Sequence, residues 1–225
     1  MSDKEGLPKT IPYYLADQIQ AGIIRWRYPP GSSLREVDLG AEFGCNRGAV
    51  REAYRLLELR GLVVYSPRRG FRVKVYTAQD IDHLYHVRAQ LEGAVVAALP
   101  ASDTAALCDV LDTANEAMRR CATSGDIDGY FSWNLKFHQA VIDYSESNIF
   151  QAILALVNAM SLPIRYILLS TDFSTKSDYA YHQQISAALR GADLPAAKRL
   201  TEEHIIKNLP RAAEVYLGSL KAVKA

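Results

Sequence analysis

Three histidines in the second half of the chain, His138, His182 and His204, stand far apart in sequence, and Asn134 lies four residues before the first of them. Each falls in a different segment of helical periodicity, and residues four apart share a helix face. An Asn–His pair on one helix and a histidine from each of two others can close around a metal in a bundle core. Imidazole nitrogens suit zinc, nickel, copper or iron(II). A metal with an open position could activate water, so a metal-dependent hydrolytic enzyme is one reading of the set. The plainer reading is three partly buried histidines that satisfy hydrogen bonds and bind nothing. Glu202 and Glu203 adjoin His204, but they suit an exposed helix face and no general base stands out. His83 and His86 receive no assignment.

A second group is basic. Arg47 and Arg51 are four apart at the start of a predicted helix, behind Asn46 and around the small residues Gly48 and Ala49. The second helix of a helix-turn-helix lodges its first turns in the major groove, where an arginine can bond guanine O6 and N7 together. Arg35 precedes the helix before it and could reach a phosphate or a base edge. Arg68, Arg69 and Gly70 form the tip of a predicted hairpin that could enter the minor groove, where arginine is favoured. Two arginines at helical spacing are usually a solvated face, so the case for DNA rests on the elements that carry them.

Those elements have a recognisable order. Leu15, Ile19, Ile23 and Ile24 space a helix over 11–25, which Pro29-Pro30-Gly31 stops. A short helix follows over 36–43, with Val37, Leu39 and Phe43 facing inward, and Gly44 suits its end. Asn46 can cap a third helix over 47–60, whose buried stripe is Val50, Ala53, Tyr54 and Leu57. Residues 62–65 and 71–75 read as strands around the turn SPRRG, with Phe71, Val73 and Val75 on the inner face. Three helices and a β-hairpin make a winged helix-turn-helix over residues 1–76. From Thr77 onward the pattern is helical: Thr77 and Asp80 open a helix that runs to about Leu99, and further helices are expected over 102–123, 127–144, 147–169, 175–190 and 193–217. The fold class is thus mainly α, with an all-α antiparallel bundle of about six helices over 77–225.

The bulk numbers agree with this division. The net charge of +1 conceals 13 Lys and Arg against 8 Asp and Glu over residues 1–76, and 13 against 17 over the remainder. Only the first part is expected to meet a polyanion. Three cysteines without a CxxC spacing argue against a disulfide framework or a cysteine-based zinc site and suggest a reducing, cytoplasmic setting. The N-terminus shows no leader pattern. The longest apolar stretch, residues 149–169, is interrupted by Gln151, Asn158, Ser161, Pro163 and Arg165, and is expected to be a buried helix rather than a membrane span.

Longer motifs carry a resemblance. The chain reads PG-x-x-L-x-E from Pro30, R-x-x-V-R-E-A-x-x-x-L from Arg47, G-L-V from Gly61, R-G-F-x-V from Arg69 and D-I-x-x-L-Y-x-V-R-x-x-L-E from Asp80. It resembles the GntR family of regulators, in the FadR-like branch with an FCD sensor domain, over nearly its whole length. The resemblance implies a homodimer on an inverted-repeat DNA operator, with Arg35, Arg47 and Arg51 on DNA and Gly70 bringing the wing backbone into the minor groove. Asn46 stands where Ser is common, and Gly48-Ala49 where Thr-Pro is common, which removes one hydroxyl contact to phosphate.

The same resemblance implies a divalent metal, zinc or nickel, held by D-x-x-x-H and two later histidines. NLKFH, YHQQI and EEHII occupy those places, so the implied ligands are Asn134, His138, His182 and His204, with an amide where the family has a carboxylate. Four neutral ligands would hold a dication more weakly and favour an anionic effector to balance it. A small carboxylate bridging the metal and Arg88 is the implied effector; the alternative for Arg88 is a simple pair with Glu92 at i+4. The function expected is a ligand-responsive transcriptional regulator, a repressor of a metabolic operon, rather than an enzyme.

Overall fold

The computed structural model describes residues 10–100, 104–171 and 176–224. The chain forms two compact units, one ending at Tyr76 and the other beginning at Thr77.

In the first unit, helix α1 (Ile11–Ile24) is followed by strand β1 (Ser33–Leu34), α2 (Glu36–Phe43), α3 (Arg47–Leu59), β2 (Val63–Ser66) and β3 (Gly70–Val73). The core joins Leu15, Ile19 and Ile23 of α1 to Leu39 of α2 and to Val50, Ala53, Tyr54 and Leu57 of α3. The turn between α2 and α3 is built on two glycines. Gly44 adopts the left-handed conformation (φ 63°) that only glycine takes without strain. Gly40 lets the turn fold back, because a Cβ there would stand 2.9 Å from the Cys45 carbonyl oxygen, and the Cys45 N–H donates to the Gly40 oxygen at 2.9 Å. The Asn46 side chain then caps α3 by accepting from the Ala49 N–H at 2.9 Å.

The hairpin expected over 62–75 is part of a three-stranded antiparallel sheet in the order β1-β3-β2, with Leu34 opposite Phe71 and Ser66 opposite Gly70. The two-residue β1 is too short to show a period in sequence. Phe71 and Val73 face the core as expected, but β3 ends at Val73, and Val75 is exposed. Val37 is also exposed rather than inward, since the eight-residue α2 buries only Leu39 and Gly40.

The second unit is helical throughout its described residues: α4 (Ala78–Ala97), α5 (Ala105–Ser124), α6 (Ile127–Tyr144), α7 (Asn148–Thr171), α8 (Lys176–Arg190), α9 (Leu194–Lys207) and α10 (Leu209–Lys224). The starts expected at 102 and 175 lie outside the described residues. A capping box opens α4: Thr77 Oγ1 accepts from the Asp80 N–H at 3.1 Å, and Asp80 accepts from the Thr77 N–H at 2.8 Å. The single helix expected over 193–217 is two. Pro210 has no N–H to continue the ladder, and its ring disfavours helical backbone before it, so α9 stops at Lys207 and a new helix starts at Leu209. Helix α4 packs against α6, α7, α9 and α10, which puts it at the centre of the unit.

Helix α7, expected to be a buried helix, is buried along one face. Its length and hydropathy would allow it to cross a membrane, yet half of its most apolar window is buried within the unit, along with Arg165. On its outer face Ile149, Ile153 and Leu156 are 71 %, 46 % and 42 % exposed.

Candidate functional site

In the first unit all five arginines singled out in the sequence are exposed. Arg47 opens α3. Arg51, one turn on, is held by Glu36 of α2 through two bonds, Nε to Oε1 at 2.8 Å and Nη2 to Oε2 at 3.0 Å. Arg35 stands 3.6 Å from Asp38. Gly48 leaves room for the cap: a Cβ there would lie 3.2 Å from Asn46 Oδ1. Arg68 and Gly70 both have positive φ, 67° and 71°, which turns the chain sharply at the wing tip. Tyr54 of α3 packs on Phe71 of β3 with ring centroids 5.0 Å apart, fixing the wing beside the helix. A groove lined by Glu36, Arg51, Arg55, Tyr65 and Gly70 runs between them. Sequence reasoning missed Glu36, whose partnership with Arg51 spans 15 residues.

In the second unit the three histidines come together. His138 on α6, His182 on α8 and His204 on α9 are buried, and each offers a ring nitrogen within 4.8 Å of the others'. Glu92 of α4 accepts from His138 Nδ1 at 2.7 Å and from Arg88 Nε at 2.7 Å. Burial alone would raise the Glu92 carboxyl, but Arg88 and His138 hold it well below the usual carboxylate range. Burial pushes His138 down despite Glu92, and drives His182 and His204 well below 6.5, helped by their cationic and imidazole neighbours. All three rings are therefore neutral at pH 7. A carboxylate only accepts, so Nδ1 of His138 carries the proton and Nε2 presents a lone pair, the arrangement that prepares a metal-binding histidine.

Asn134, expected as a fourth ligand, is engaged otherwise. Arg165 of α7 donates from Nη2 to its amide oxygen, and because a guanidinium can only donate, the amide nitrogen must face His182 Nε2, 3.4 Å away. Arg165 was legible in sequence only as a break in an apolar run. Both it and Arg88 line a cavity of about 40 Å³ with Tyr85, Asn134, His138 and His204. Burial and the charge of Arg88 push the Arg165 guanidinium down to about 9, which leaves it charged at pH 7. Four buried nitrogens have no hydrogen-bond partner among the described residues: His138 Nε2, His182 Nδ1, His204 Nδ1 and Arg88 Nη2. Such orphaned polar atoms are costly unless something meets them. Three converging neutral imidazoles fit a divalent metal, and the free guanidinium nitrogen fits an anion.

Residues 83–207 match the FCD domain family, and residues 14–73 match the family described as bacterial regulatory proteins, gntR family. This chain belongs to the GntR family and carries an FCD domain. The GntR regulator is 30 % identical over 202 residues to the HTH-type transcriptional regulator YdhC of Bacillus subtilis, covering 88 % of this chain and 90 % of that one. It is 28 % identical over 96 % of its length to the "Probable D-xylose utilization operon transcriptional repressor" of Paenarthrobacter nicotinovorans, covering 95 % of that protein. In fold it is similar to the solved structure of E. coli McbR/YncC, with TM-score 0.81 at 18 % identity, covering 92 % of this chain and 99 % of that chain. A GntR helix-turn-helix joined to an FCD domain is a ligand-responsive DNA-binding transcriptional regulator.

The buried histidines give the metal-free GntR regulator an acid limit. In the unfolded chain they titrate near 6.5, while in the folded chain their values are lower. As pH falls the unfolded state takes up protons first, so this contribution to stability is fully present above pH 6.5 and is lost as pH falls through the folded values. Thermal melts of chelator-treated protein are expected to hold level from pH 8 to 7 and to fall below 6.5. A melting temperature independent of pH down to 5.5 would contradict the assignment of neutral, buried rings.

Proposed function

We propose that this regulator is a cytoplasmic homodimeric repressor of a metabolic operon, released from or tightened on its operator by a small carboxylate that binds beside the histidine cluster. The observation that carries the effector reading is Arg88 Nη2, buried and unpartnered beside a cavity that Arg88 lines together with His138 and His204. His138, His182 and His204 would hold a divalent ion, zinc or nickel, and the ion would supply positive charge and open coordination positions for an acid. Arg88 would orient the carboxylate with its planar fork, while Glu92 fixes both Arg88 and His138. The enzyme reading has less support, because the carboxylate that touches the cluster, Glu92, is tied by both oxygens and held ionised.

Calorimetry of the metal-loaded protein with acetate, lactate and pyruvate tests this. At least one acid is expected to bind, with a loss of about 10-fold or more in Arg88→Ala, the value of a charge-assisted bond. Equal affinity in Arg88→Ala would remove Arg88 from the effector site.

DNA reading by helix-turn-helix dimers uses two heads on an inverted repeat. The outer face of α7 offers an interface with a second copy of this chain: Ile149, Ile153 and Leu156 lie at i, i+4 and i+7. Ile153→Asp puts a charge in the middle of that strip. It is expected to sediment as a monomer and to lose about 10²-fold in operator affinity, since the second head no longer binds at high effective concentration. Wild-type sedimentation of this variant would take α7 out of the interface.

A further inference from the structure

Two buried arginines face one small cavity, and the fold supplies one carboxylate between them. Arg88 on α4 and Arg165 on α7 are each more than nine-tenths buried. A guanidinium carries five donors and no acceptor, and it stays charged. Both oxygens of Glu92 are used, one by Arg88 and one by His138. Arg165 has a neutral partner, the Asn134 amide oxygen, and forms no ion pair among the described residues. Two buried guanidiniums thus face one carboxylate, and a divalent ion would widen the imbalance. Buried charge without a counter-charge is strongly unfavourable.

Asn134 decides the charge balance at Arg165. An aspartate of the same size at this position would cancel the charge of Arg165. The amide holds the guanidinium in place and leaves its charge available.

We infer that the cavity selects a small acid with two anionic groups, one taken by Arg88 and the other by Arg165, and that Asn134 is the positioning residue that keeps Arg165 ready. The inference rests on the carboxylate reading above and narrows it. Size agrees. The cavity of about 40 Å³ holds roughly three waters at about 10–15 Å³ each, and at about 30 Å³ of liquid per water that matches a diacid of a few carbons.

Calorimetry on the metal-loaded full chain, with acids matched in carbon number, separates the possibilities. Malonate is compared with propionate, and succinate with butyrate. At least one diacid is expected to bind about 10-fold or more tighter than its monoacid, the value of one added charge-assisted bond. Arg165→Gln is expected to bring the pair to within about 3-fold by weakening the diacid alone. Asn134→Asp plants a carboxylate against Arg165 without changing side-chain size, and is expected to do the same even if Arg165→Gln folds poorly. Melting temperature and bound metal are measured for both variants. Equal binding of diacid and monoacid by the wild type would overturn the inference and leave the carboxylate reading standing, as would equal weakening of both acids in the variants. Absence of binding by any carboxylate, in protein of confirmed metal content, would overturn both.

Discussion

Replacing Arg47 and Arg51 together by alanine is expected to abolish specific operator binding while leaving the fold intact. Both side chains are exposed on the first turns of α3, and neither contributes to the core of the first unit. A bidentate arginine–guanine contact is worth about 1–3 kcal/mol against the wrong base, so losing two removes roughly 10²-fold or more of specific affinity. The geometry at Arg51 sharpens the expectation. Glu36 grips its Nε–Nη2 edge, and the Nη1–Nη2 edge remains available for a guanine. Glu36 thus acts as a buttress that points the guanidinium. Fragments enriched from genomic DNA by the wild-type protein provide the operator, and fluorescence anisotropy on that operator and on a scrambled duplex provides the two affinities. The double variant should lose its preference for the operator and keep most of its weak, salt-sensitive binding to any duplex, because the arginines at positions 35, 68 and 69 and the wing backbone remain. Retention of the wild-type preference for the operator would move the reading residues elsewhere on the unit.

How much of this was visible in the chain itself depends on the range of the interaction. The buried stripe of α3, Val50, Ala53, Tyr54 and Leu57, follows from helical spacing, and the Asn46 cap and Gly44 turn follow from residue type. These are local rules, and local rules can be read along a sequence. Val37 shows their limit: in an eight-residue helix of alternating character, tertiary packing decides which apolar residue is buried. The three histidines were legible as a set, but the contacts that give them chemistry were not. Glu92 meets His138 across 46 residues, and Arg165 meets Asn134 across 31. Arginine inside an apolar helix reads as an interruption until the fold brings an amide to its guanidinium. The i, i+4 spacing and the resemblance offer Asn134 as a ligand, and neither shows that its oxygen meets Arg165.

Glu92→Ala is expected to be the most damaging single change in the second unit. The carboxylate is buried, and its two oxygens meet Arg88 and His138 at 2.7 Å each. Its removal leaves Arg88 and Arg165 in one cavity with no counter-charge. Breaking a buried pair by deleting one partner costs about 3–5 kcal/mol, since the surviving charge keeps its desolvation penalty. Urea unfolding of the chelator-treated protein measures that loss. Two further readouts separate charge from shape. Glu92→Gln keeps a hydrogen-bonding group at His138 but not the charge, and should recover only a minor part of the stability. Arg88→Met combined with Glu92→Gln removes one cation with the anion, and should be more stable than Glu92→Gln alone. Metal affinity should fall about 10–100-fold in Glu92→Ala, because His138 loses the acceptor that fixes its tautomer and ring orientation. If Glu92→Ala unfolds at the wild-type urea midpoint, the two arginines are reached by water and the charge imbalance that points to a diacid is screened away.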